Sequence, residues 1–340
     1  MTTRGMNRKS LALAALLFLS LACTAGAAQD NKKDAKEEPP PQGTPVLWRE
    51  PADIETRNLL LGPGGEGMKP DLSSVTFVKE ETGGYSPKFR VTDGSGKTWV
   101  AKMGKEAQPE TASVRLAWAV GYATEISYLV PCVQIKGAPH PKKGKVERCE
   151  GGGFVNVRFE ARPESVKRLD EWSWTENPFV GTKELQGLLV MMALVNNWDL
   201  KKSNNGIYNV RGRELRYMVS DLGATFGKTG GDWSRSKNDV EDYVNSKFIE
   251  EVEPNKVDLV LNSRPPLLYA VAVPYFYKRA RMENVAEDIP RIHARWMGVW
   301  LAQLSAKQIS DAFRAAGYAP SEVTAYTRKV LERIRQLNSL

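Results

Sequence analysis

The 340-residue chain is 41% hydrophobic and 26% charged, a globular composition with apolar material for one large or two modest cores. Its net charge of +8 is scattered, with Lys/Arg and Asp/Glu interleaved, so the clustered basic stripe of a nucleic-acid binder is excluded. His140 and His293 are the only histidines, and no His-x3-His or Cys-x2-Cys spacing occurs, so zinc hydrolysis and a Ser-His-Asp triad both lack their parts.

Arg4, Arg8 and Lys9 precede an apolar run from Leu11 to Ala22, interrupted only by Ser20. A basic start, a short apolar stretch and then small residues predict a signal peptide over 1–28, too short to span a bilayer as a mature helix. Two processing sites compete. Ala25-Gly26-Ala27-Ala28 offers small residues to a signal peptidase, whereas Leu21-Ala22-Cys23 resembles a bacterial lipobox, which leaves a lipidated Cys23 attached to a membrane. Either route exports the mature protein to the periplasm or cell envelope. Loss of the three basic residues in 1–28 lowers the charge from +8 to +5.

Residues 29–45 are charged and then proline-rich, with almost nothing to bury, and predict a disordered tether. Two lobes follow, over 46–162 and 163–340. Val75–Val78, Lys88–Val91 and Thr98–Ala101 are short β-favouring runs, the last two joined by the hairpin signal Asp93-Gly94-Ser95-Gly96. Pro109-Glu110-Thr111 opens a segment with Val114, Ala117, Trp118 and Gly121 at helical spacing. Tyr128–Pro131 and Gly153–Val157 return to strand. Cys132 and Cys149 flank a Gly/Pro/Lys-rich tip around His140. With Cys23 lipidated or removed, their even count in an oxidising compartment predicts a disulfide, two buried thiols being the alternative.

Beyond about Pro163 helical patterns dominate. Thr182 can cap Lys183–Asn196, whose Leu185, Leu188, Leu189, Met192 and Val195 form an apolar stripe. Ile207-Tyr208 and Leu215–Val219 read as a short hairpin around Arg211-Gly212. Ala294–Leu304, Ser305–Ala316 and Ser321–Leu337 read as helices, Ser305 and Gln308 fitting a capping box.

The chemistry concentrates in Asp199-Leu-Lys201-Lys-Ser-Asn204 and in Asp221-Leu222-Gly223, with Asp221 lying 22 residues after Asp199. Phosphoryl transfer from ATP requires a carboxylate to receive the hydroxyl proton, a cation near the γ-phosphate and oxygen ligands for Mg²⁺. Asp199, Lys201, Asn204 and Asp221 supply that set, with Asn205 as a fallback ligand. Upstream, Trp99-Val100-Ala101-Lys102 ends a strand on a lysine, and the loop Thr82–Lys88 before it offers Gly83, Gly84 and Ser86 for close backbone approach to phosphate. Glu110, and after it Glu125, are the acids placed to hold Lys102.

These residues resemble the protein-kinase-like superfamily, nearest its bacterial HipA-like and phosphatidylinositol 3/4-kinase-like branches. Gly83-Gly84-x-x-Pro87-Lys88 is similar to the phosphate loop of HipA-like kinases, Asn197-x-Asp199-x-Lys201-x-x-Asn204 to their catalytic loop, and Asp221-Leu222-Gly223 stands where Asp-Phe-Gly usually does. The resemblance covers roughly residues 75–230. It departs from ordinary protein kinases at Asn196-Asn197 in place of His-Arg, and in lacking Gly-x-Gly-x-x-Gly and Ala-Pro-Glu. It implies an α+β, two-lobed kinase-like fold, a β-rich lobe followed by a mainly helical one, using ATP and Mg. The acceptor, a protein, lipid or small molecule, is left open. A kinase-fold binding protein without turnover and AMP transfer on the same fold are the rival readings.

Overall fold

The computed structural model describes residues 42–163, 165–210, 213–229, 234–261 and 284–340. The signal peptide, Cys23, the tether up to residue 41 and the hairpin tip Arg211-Gly212 lie outside the described residues.

Alternation of apolar and polar residues builds the first lobe. Strands β2 (Thr76–Glu80), β3 (Lys88–Thr92), β4 (Thr98–Lys102), β5 (Ser127–Val133) and β6 (Phe154–Ala161) form an antiparallel sheet in the order β2-β3-β4-β6-β5. Helix α1 (Ala107–Ala119) connects β4 to β5, the expected β-β-β-α-β-β order. Phe89, Val91, Trp99, Ala101, Val157 and Phe159 fill the core of this lobe. Each large apolar side chain buried there contributes on the order of 1.5–3 kcal/mol.

The second lobe has its own core. Helix α2 (Lys183–Leu194) starts where the Thr182 hydroxyl accepts a hydrogen bond from Leu185 N–H at 3.2 Å. It ends at Asn196, whose φ of +54° breaks the helix. Strands β7 (Val166–Asp170), β8 (Asn205–Val210) and β9 (Glu214–Val219) lie beside it. Helices α3 (Val240–Asn245), α4 (Arg291–Leu301), α5 (Ala306–Ala315) and α6 (Pro320–Asn338) complete the lobe, with a small sheet of β10 (Ile249–Val252), β11 (Lys256–Leu259) and β12 (Ile289–Pro290). The Ser305–Gln308 capping box forms as expected. This is a two-lobed α+β architecture, a β-rich lobe followed by a mainly helical one. No helix among the described residues is long and apolar enough to cross a membrane.

The segment between tether and first lobe departs from the sequence reading. Thr44–Val46 (β1) falls partly inside the expected tether, yet it is a strand, paired parallel to β9. Leu47, Ile54 and Leu59 then join the helical lobe's core, not that of the β-rich lobe. The pairing partner lies about 170 residues away in the chain, and no local pattern announces it.

Cys132 and Cys149 are bonded, with Cα atoms 5.9 Å apart. The loop they close rests on the glycine turn before β3. Lys143 Nζ donates to Thr82 O at 2.6 Å, Lys142 N–H donates to Glu80 Oε1 at 2.8 Å, and Gly144 packs against Pro87.

Candidate active site

Lys102 is the last residue of β4 and is 4% exposed. A buried ammonium is costly unless opposite charges meet it. Three do: Glu110 Oε2 at 2.8 Å, Glu106 Oε2 at 3.1 Å and Asp221 Oδ1 at 3.4 Å. Burial alone would depress the Lys102 pKa, but Glu110, Asp221 and Glu106 together raise it above the usual lysine value. The first lobe's strand lysine, an acid of the helix after it and Asp221 of the second lobe are thereby brought together.

Glu110, in the first turn of α1, makes the shortest of these contacts to Lys102. It is almost fully buried between Lys102 and Arg158, whose Nη1 lies 3.5 Å from Glu110 Oε1. Burial raises the Glu110 pKa, against the pull of Arg158 and Lys102. Glu125, the second choice, is turned elsewhere, toward Arg158 at 3.3 Å and Arg162 at 3.8 Å. Glu110, Glu125 and Glu160 lie close enough to share a cation, but Arg158 sits among them and pairs with all three.

Residues 197–204 are held by a short network of side-chain and backbone hydrogen bonds. Asn197 Oδ1 accepts from Asp199 N–H at 3.3 Å, and Lys201 Nζ donates to Asp199 Oδ2 at 2.8 Å. Asn204 joins the two loops: its Nδ2 donates to Asp199 O at 2.7 Å, while its carbonyl accepts from Ser220 N–H at 2.8 Å and Asp221 N–H at 3.2 Å. With Nδ2 committed, Oδ1 is the atom that Asn204 can offer a cation. Asn205, the fallback, is fully buried, and its Nδ2 donates to Trp172 O at 3.0 Å. Its Oδ1 is buried and makes no hydrogen bond.

Asp221 follows the buried end of β9, and its side chain is 41% exposed. Its Oδ1 accepts from Gly223 N–H at 3.1 Å. Glycine is required at 223 because a Cβ there would lie 2.7 Å from Glu106 Cβ.

The glycine turn stands over Lys88, which faces Lys102 across the β3–β4 ladder. Gly84 has φ +75°, and a Cβ on it would lie 3.3 Å from Lys88 Nζ; Gly83 faces open space. Burial, together with the neighbouring Lys102, lowers the Lys88 pKa. Ser86 was expected to offer its hydroxyl to phosphate. It is buried and that hydroxyl donates to Glu106 Oε2.

Glu106 and Lys237 were not singled out in the sequence. Glu106 is four residues from Lys102, but in a turn before α1, so helical spacing gives no hint of the pairing. Lys237 arrives from 131 residues further along to meet Glu106 Oε1 at 2.5 Å. Burial opposes ionisation of Glu106, yet Lys102, Lys237 and Ser86 hold its carboxyl at about 2.

The oxygen donors Asp221 and Asn204 suit a hard divalent cation, and the half-exposed Asp221 carboxylate, ending a buried strand beside Lys102, fits that use. No protein-family model and no curated protein matches the chain. Among solved structures it is similar to the Helicobacter pylori proinflammatory kinase CtkA, at 9% identity, covering 80% of this chain and 97% of that chain with a TM-score of 0.44.

Proposed function

We propose that this protein is an exported, ATP-dependent phosphotransferase of the kinase-like type, nearest the HipA-like and phosphatidylinositol-kinase-like branches, that phosphorylates a hydroxyl acceptor. One observation carries the reading: Lys102, Glu110 and Asp221, from strand, helix and metal loop, meet within 3.4 Å of one ammonium. A fold maintained only for binding has no need of this costly buried charge beside a second acidic loop.

In this reading Lys102 grips the nucleotide phosphates, oriented by Glu110, and the Gly83-Gly84 turn lets the backbone approach them. Asp221 and Asn204 hold Mg²⁺, which when bound neutralises charge on the phosphate chain. Asp199 takes the acceptor proton or orients its hydroxyl. Lys201, paired to Asp199 in the resting chain, offsets charge on the group in transfer. Export follows the basic and apolar N-terminus and agrees with the Cys132–Cys149 bridge; Cys23 is either the lipid anchor or lost with the leader.

The test is calorimetric binding of ATP to the mature chain with and without Mg²⁺, followed by mass analysis of modified acceptors. Metal-dependent binding with added phosphate supports the proposal. Added AMP would replace phosphoryl by adenylyl transfer, and absence of any nucleotide binding would overturn it.

A further inference from the structure

The carboxylate of Glu106 is placed as a phosphate oxygen would be. Its Oε2 meets Lys102 Nζ at 3.1 Å and the Ser86 hydroxyl, and its Oε1 meets Lys237 Nζ at 2.5 Å. Two ammoniums and a hydroxyl, one of them from the loop beneath the glycine turn, are the donors a nucleotide phosphate takes.

The neighbouring acids are not exchangeable in the same way. Glu110 is clamped between Lys102 and Arg158 inside the core, and Asp221 belongs to the metal loop. Glu106 is on the turn that enters α1, two residues after Gly104 at φ +87°, and its side chain is partly exposed. If it leaves, Lys102 keeps Glu110 and Asp221, so the lysine remains neutralised and oriented. Lys237 and Ser86 lose the carboxylate that now holds them.

We propose that Glu106 is a resident anion in the phosphate site, and that Lys237 and Ser86 pass from it to the phosphate chain of the nucleotide when the Glu106 side chain swings out. This rests on the phosphotransferase reading and adds to it a built-in competitor and a second phosphate-binding lysine. An internal network of ion pairs and a hydrogen bond thus ties together β4, the glycine turn, the start of α1 and the Lys237 segment. Nucleotide must displace that bridge to bind.

The experiment is titration calorimetry of Mg·ATP and of inorganic triphosphate on the full mature chain and its variants. Glu106→Gln keeps the shape and removes the competing charge; both ligands should bind about tenfold tighter. Lys237→Met should weaken both by about tenfold, and Lys237→Arg should restore binding. Glu106→Asp, which keeps the charge on a shorter arm, should tighten triphosphate to a lesser degree and serves if the Gln variant does not fold. Unchanged or weaker binding by Glu106→Gln, or wild-type binding by Lys237→Met, overturns the proposal while wild-type Mg·ATP binding leaves the phosphotransferase reading standing. Failure of wild type and every variant to bind either ligand removes both.

Discussion

Arg333 Nη1, in the last helix, donates at 2.8 Å to Asn196 Oδ1, three residues before Asp199. The same nitrogen donates to Ala193 O and Leu194 O, buried carbonyls at the end of α2, and Nη2 donates to Ser246 Oγ at 2.7 Å. A fully buried guanidinium thus caps the helix that leads into Asp199. Burial lowers its pKa, and the ring of Tyr243, 4.4 Å from its carbon, faces it.

Arg333→Met is therefore expected to destabilise the fold by about 3 kcal/mol, since it leaves Asn196 Oδ1 without its donor and Leu194 O with Tyr243 Oη alone. Denaturant unfolding measures the loss. A loss below a few tenths of a kcal/mol would show that the loop does not depend on this cap.

Lys102→Ala removes the common partner of three carboxylates. Lys102 is 4% exposed, so stability should fall by about 3 kcal/mol together with the loss of Mg·ATP binding. Lys102→Met combined with Glu110→Gln should recover part of the stability without recovering Mg·ATP binding. Thermal unfolding and calorimetry on both variants separate the two effects.

In the proposed function the two aspartates have different roles. Asp221→Asn should abolish the Mg-dependent part of nucleotide binding, because a neutral amide is a poor ligand for a hard cation. Asp199→Asn should retain binding and lose transfer by roughly 100- to 10,000-fold. Calorimetry with single-turnover transfer reads both, and equal loss of binding in the two variants would refute the assignment.

Stability in acid should report on Glu106. Its folded pKa, about 2, lies below the unfolded value of 4.5, so its ionised form adds stability that is present above about pH 4.5 and lost as pH falls toward 2. Wild type should exceed Glu106→Gln by up to about 3 kcal/mol at pH 7, and the gap should close by pH 2. A gap independent of pH, measured by urea unfolding, would mean that the carboxylate is held by packing.

The Cys132–Cys149 bridge closes a loop of 17 residues by sequence separation, a span for which cross-linking stabilises by about 3 kcal/mol. Paired Cys132→Ser and Cys149→Ser substitutions should lower stability by that order. Thiol titration of the unreduced protein should find neither cysteine reactive.

Much of the fold is legible in the sequence. Period-two runs placed β2 to β4, and the Thr182 cap with its Leu/Met stripe placed α2 to within two residues of its end. Chemistry-bearing residues in order marked Lys102, Glu110, Asp199, Asn204 and Asp221. Contacts between distant segments were hidden, because their partners share no local pattern: β1 on β9, Lys237 on Glu106, and Arg333 on Asn196. Glu106 escaped notice for a different reason. It lies one turn before Glu110, at a helix N-terminus, where acids are favoured on dipole grounds alone.

The loop between Cys132 and Cys149 leans on Thr82, Glu80 and Pro87, the residues around the glycine turn. With the bridge reduced, that buttress loses its covalent closure, so the stiffness of the glycine turn depends on the redox state of two cysteines that lie outside it.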